Sequence, residues 1–79
     1  MNWIRFTDKM PEQGEKVLVY YKDKMKSKGF YSDMEILQYY GKNKWNEDLL
    51  QDAKGNIRHL TDEPYATHWA PLPNGPNLR

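Results

Sequence analysis

The sequence predicts a β-rich α+β fold: one small domain of about five short, mainly antiparallel strands with one or two short helical turns. Three observations lead there. Glycines at 14, 29, 41, 55 and 75 and prolines at 11, 64, 71, 73 and 76 cut the chain into strand-length pieces, with no internal repeat and no linker. The run Lys16-Val17-Leu18-Val19-Tyr20-Tyr21 is β-branched and aromatic and apolar on both faces, which marks a central strand. Aromatic residues make up 14% of the chain, and each large ring can bury about 150–250 Å², so rings stand in for the aliphatic core that the chain lacks. The domain spans residues 1–79, with an ordered core over about 2–74 and a short C-terminal tail. A chain this short buries roughly 60% of its unfolded surface on folding, so its stability is thin.

In chain order, Trp3-Ile4-Arg5-Phe6 reads as a first short strand. Thr7 is placed to cap one helical turn that Pro11 and Gly14 terminate. After the central strand, Lys22 to Gly29 is polar and carries four lysines within seven residues, which reads as a solvated hairpin loop or, more sharply, a basic contact surface. Glu35-Ile36-Leu37-Gln38-Tyr39-Tyr40, Gly41-Lys42-Asn43 and Lys44-Trp45-Asn46 read as strand, tight turn and strand. Residues 47–54 suit either a short helix or half of a hairpin returning through Ile57-Arg58-His59-Leu60. The turn chemistry of Lys54-Gly55-Asn56 favours the hairpin. Thr61 to Pro64 is a further turn, and Tyr65 to Ala70 the last strand, with Tyr65, Thr67 and Trp69 on one face and Ala66, His68 and Ala70 on the other. Trp3, Val17, Val19, Leu37, Trp45, Trp69 and Leu72 are the expected core.

The stretch Thr67-His68-Trp69-Ala70-Pro71-Leu72-Pro73 allows several readings. Proline cannot donate to a strand ladder, so Pro71 and Pro73 end the strand or place it at an edge, and Leu72 between them makes an extended strap across the open end of the core. The rival is a polyproline ligand over Pro73 to Pro76, which Gly75 loosens and which has no flanking arginine nearer than Arg79.

Composition excludes several functions. With no cysteine there is no disulfide and no thiolate metal site, as suits a reducing cytoplasm. A formal charge of +1 supplies no global field for nucleic acid or anionic lipid. Neither a leader-like segment nor a run near the ~20 apolar residues of a membrane span is visible, so the expectation is a cytoplasmic protein without a membrane partner. The two histidines, His59 and His68, approach each other if their strands pair, with Asp62 or Glu63 beside them, but their spacing matches no standard zinc motif. His68 reads as a strand histidine, and Thr67-His68 with Asp8 as a hydrogen-bonded clasp between the chain ends. No nucleophile elbow, phosphate loop or dinucleotide fingerprint occurs. The expectation is therefore a non-enzyme with no catalytic residues, no metal and no cofactor.

The opening Trp3-Ile4-Arg5-Phe6-Thr7-Asp8-Lys9-Met10-Pro11-Glu12-Gln13-Gly14-Glu15-Lys16-Val17-Leu18-Val19-Tyr20 resembles the W-I-S-V-x-D-R-L-P-E-x-G-x-x-V-L-V-Y signature of a small phage and prophage family known only as domain of unknown function 551. Thr67 to Pro73 is similar to its T-H-W-M-P-L-P ending, and Leu37 to Gly41 with Trp45 to its x-x-Y-Y-x-G-x-x-W segment. The chain departs from the pattern at Arg5-Phe6, Lys9-Met10 and Ala70, and in a longer insertion near 46–64. The resemblance implies a phage or prophage origin, a bacterial host cytoplasm and a compact strand-rich domain, and it implies no reaction. Trp3, Asp8, Pro11, Gly14, His68, Trp69, Pro71 and Pro73 match the family motifs and read as structural.

Two binding functions remain. The preferred one is a protein-binding module acting on a host or phage protein, such as an inhibitor of host defence, with Tyr31, Tyr40, Lys24, Lys26 and Lys28 as the candidate partner-binding surface. The alternative is a small β-domain for single-stranded nucleic acid, stacking bases on its tyrosines. The balance of acids against lysines argues against the second.

Overall fold

The computed structural model describes residues 2–22 and 34–73. They form one antiparallel sheet of six strands: β1 (Ile4–Arg5), β2 (Lys16–Tyr21), β3 (Met34–Lys42), β4 (Asp48–Gln51), β5 (Ile57–His59) and β6 (Ala66–Pro71). The order across the sheet is β1-β6-β2-β3-β4-β5, so the last strand lies inside, between the first two. The β-rich expectation holds. The strand count of five and the α+β label are approximations, because helix among the described residues amounts to the 3-10 turn Leu60–Asp62.

One face of the sheet carries the core. Val17, Val19, Tyr21, Leu37, Tyr39, Leu50, Ala66 and Trp69 pack together there, covered by Ile4, Phe6, Met10 and Leu60. Trp69 is 3% exposed and stands opposite Ile4 on one side and Val19 on the other. Its indole N–H donates to the Lys9 carbonyl at 2.8 Å, which lays the 6–11 segment, with buried Pro11, over the core. The expected clasp between the chain ends exists, but Trp69, the β1–β6 pairing and the bond from the Phe6 N–H to the Thr67 carbonyl make it, rather than the Asp8 side chain. The helical turn before Pro11 is built on the Arg5 carbonyl, which accepts from the N–H groups of Asp8 and Lys9.

Pro71 ends β6 as expected, yet β6 is an interior strand, and Leu72 is only half-buried. The strict alternation expected in β6 fails for a definite reason. The β2–β6 register shifts at Tyr20/Tyr21, so Ala66, not Thr67, meets Tyr21 and joins Trp69 in the core.

The central hairpin is present, but its turn lies further along the chain. Gly41, with φ +118°, absorbs a bulge that lets β3 run on to Lys42. The turn then closes on Asn43, whose Oδ1 accepts from the N–H groups of Trp45 and Glu47, with Asn46 in the left-handed region at φ 64°. Trp45 therefore sits at the turn, 68% exposed under the Lys44 ammonium, and is not core. Trp3, 37% exposed, also lies outside the core cluster. Between β4 and β5 the hairpin reading prevails: Asp52 accepts from the N–H groups of Lys54 and Asn56 and fixes the turn.

Arg58 ties this outer hairpin to the rest. It reaches over Leu50 to form a two-pronged pair with Glu35 at 2.6 and 2.8 Å, and also meets Asp52 at 3.2 Å and the buried Glu63 at 3.7 Å. The Glu35 hydrogen bonds, acting against burial, hold the guanidinium even more firmly protonated than usual.

Trp69→Ala is expected to cost about 3–5 kcal/mol and to unfold a domain of this size, whereas Trp45→Ala leaves the melting temperature near that of the wild type. Thermal melts followed by circular dichroism decide this, and a folded Trp69→Ala variant with normal melting contradicts it. A second expectation concerns alkali. Burial, and after it the hydrogen bond to Asp48 at 2.6 Å, pushes the Tyr39 phenol from its ordinary 10.0 up to about 12. A raised phenol contributes stability that is complete below pH 10.0 and is lost as pH rises through about 12. Melting temperature should fall across that window, and less steeply for Tyr39→Phe; parallel profiles would count against it.

Candidate functional site

Residues directly opposite on neighbouring antiparallel strands project to the same side, so the register alone maps the face turned away from the core. It carries three cross-strand rows. The first is Arg5, His68, Tyr20 and Met34. The second is Ala70, Leu18 and Ile36. The third is Lys16, Gln38, Gln51 and Ile57.

A solvated face of an antiparallel sheet ordinarily alternates to polar residues. Here the middle row is entirely apolar, running from fully buried Ala70 through half-buried Leu18 to Ile36, which is 52% exposed, and Met34, Ile57 and Trp3 add exposed apolar surface around it. The Trp3 ring lies 5.8 Å from Tyr20, and Tyr20 meets His68 edge-on at 6.2 Å, so three rings border one recess at this end of the face. His68 Nδ1 is 2.8 Å from the Thr67 hydroxyl, which fixes the ring's orientation. At the other end, Gln38 donates to the Gly14 carbonyl and Gln51 to the Gly55 carbonyl, so both amides are held in place. A groove over this end is lined by Gln13, Gly14, Gln38, Tyr40 and Gln51, and Tyr40 is 52% exposed.

The expected site residues divide accordingly. Tyr40 lies in the bulge of β3 and borders the open face. Lys24, Lys26, Lys28 and Tyr31, with the loop that carries them, lie outside the described residues. Trp3 and His68 belong to the ring cluster, Trp69 and Pro11 are buried, and Asp8, Pro71 and Pro73 are exposed. Gly14 turns at φ +86° while its N–H pairs with the Tyr39 carbonyl. His59 and His68 do not meet: four interstrand steps, about 19 Å, separate β5 from β6. Among the described residues no three His, Asp or Glu side chains gather to hold a metal ion.

The residues missed from the sequence are the aliphatic ones, Leu18, Met34, Ile36 and Ile57. Their signal was present in β2 and β3, where Leu18 sits between core valines and Ile36 beside core Leu37, so that both faces of the strands are apolar.

No helix among the described residues is long and apolar enough to cross a membrane. A family model described as "Protein of unknown function (DUF551)" matches residues 2–77. No curated protein matches the chain. No solved structure matches it either.

Proposed function

The chain belongs to this family of unknown function, and from that premise we propose that it is a non-catalytic module that binds another protein through the open face of its sheet. The partner is a protein of a phage or of its bacterial host, met in the cytoplasm, and blocking a defence factor is one way such a module acts. The observation that carries the reading is the apolar middle row with Ile36 at its exposed end, flanked by Trp3, Met34 and Ile57 on a rigid sheet. A chain of this size has little apolar surface to spare, and contiguous apolar surface left in water ordinarily marks an interaction site. Rings such as Trp3 and Tyr20 are the side chains that most often anchor protein contacts.

The test compares tagged wild type with Ile36→Glu, each incubated with nuclease-treated bacterial lysate. Ile36→Glu should keep the wild-type melting temperature and lose the proteins that the wild type retains. Equal retention by the two folded proteins contradicts the reading.

A further inference from the structure

The open face is also sorted by charge. The strands carry two carboxylates, Glu35 and Asp48, and both are directed to the core side, where each has a cation: Glu35 stands opposite Val19 and is held by Arg58, while Asp48 accepts from the core tyrosine Tyr39 and pairs with Lys42 at 3.0 Å. Asp52, at the β4–β5 turn, borders a groove shared with Lys16, Ile36 and Gln38, but Arg58 and the turn N–H groups engage its carboxylate. The two formal cations of the three rows are Arg5 and Lys16, both exposed, in the rows on either side of the apolar one. Neither has a carboxylate partner among the described residues.

Geometry narrows the occupant further. Rows two residues apart along a strand are about 6.7 Å apart, so the two basic rows are separated by about 13 Å, close to the 10–12 Å diameter of a helix. Along the middle row, where Ala70 is sealed from water, Leu18 and Ile36 stand about 4.8 Å apart, near the 5.4 Å pitch at which a helix repeats its apolar stripe. An added strand needs an unpaired edge, whereas β6, β2 and β3 are all interior, so the partner meets side chains. A second copy of this chain would offer the same face, cationic at Arg5 and Lys16 and without a strand carboxylate to meet them.

From these observations we propose that the open face receives an amphipathic helix of a partner protein, its apolar stripe over Leu18 and Ile36 and its flanks acidic, meeting Arg5 on one side and Lys16 on the other. The proposal rests on the reading of this face as a protein-binding surface and names the chemistry of what binds.

The probe is a displayed library of random peptides selected on the immobilised protein, with enriched peptides then measured against wild type, Arg5→Glu/Lys16→Glu, Ile36→Glu and Trp3→Ala, each first shown to melt normally. Enriched peptides should repeat apolar residues at helical spacing with Asp or Glu beside them. Their affinity should fall about tenfold or more in the double charge reversal, and weaken with salt. Neutral or basic flanks, unchanged affinity for the charge-reversed protein, or no enrichment at all would overturn the proposal. Loss of affinity in Ile36→Glu alone would leave the open-face reading standing without its acidic partner, whereas acidic peptides that bind Ile36→Glu normally would remove both. Tight binding of a thymidine oligonucleotide, abolished in Trp3→Ala, would overturn the proposal in favour of single-stranded nucleic acid.

Discussion

The indole of Trp69 is the constraint on which the other features depend. It is nearly sealed from water, packed between Ile4 and Val19 on the neighbouring strands, and its N–H is satisfied by the Lys9 carbonyl. A buried indole N–H without an acceptor is costly, so the 6–11 segment must fold back over the same side of the sheet. That single commitment decides which face becomes core. With Phe6, Met10 and Leu60 as the cover over that face, the opposite face is left open to water.

Charge follows the same division. Placing Glu35 and Glu63 beside the core demands a partner that neutralises them, and Arg58 does so from the outer hairpin, with a two-pronged pair to Glu35 and a longer contact to Glu63. The strand acids of the core side are matched there by Arg58 and Lys42, while Arg5 and Lys16 face solvent on the other side. In the proposed interaction, electrostatic complementarity would mainly set which partner is admitted and how fast, and the apolar row would supply the area of contact.

Much of the fold was legible in the sequence. The central strand at Lys16–Tyr21 and the outer hairpin around Asp52 to Asn56 both rest on local signals, β-branching and turn chemistry, that act without help from distant residues. Register was less legible. Gly41 looked like a turn glycine and proved to be a bulge, because Asn43 offers a better turn four residues before Glu47. The shift at Tyr20/Tyr21 likewise arises between β2 and β6, strands distant in sequence, and no local pattern signals it. The site was legible only in part. Tyrosine and lysine drew attention as usual contact residues, whereas Leu18 and Ile36 were singled out neither as core nor as site, since a strand apolar on both faces is ordinarily covered on both.

The division of the sheet into a sealed face and an open one is tested most directly by hydrogen exchange of the three indole N–H protons, followed by NMR. The account predicts that Trp69 exchanges only through global unfolding, while Trp3 and Trp45 exchange at rates close to those of free indole. Rapid exchange at Trp69, or protection at Trp3 comparable to it, would mean that the core lies elsewhere and that the open face is not open.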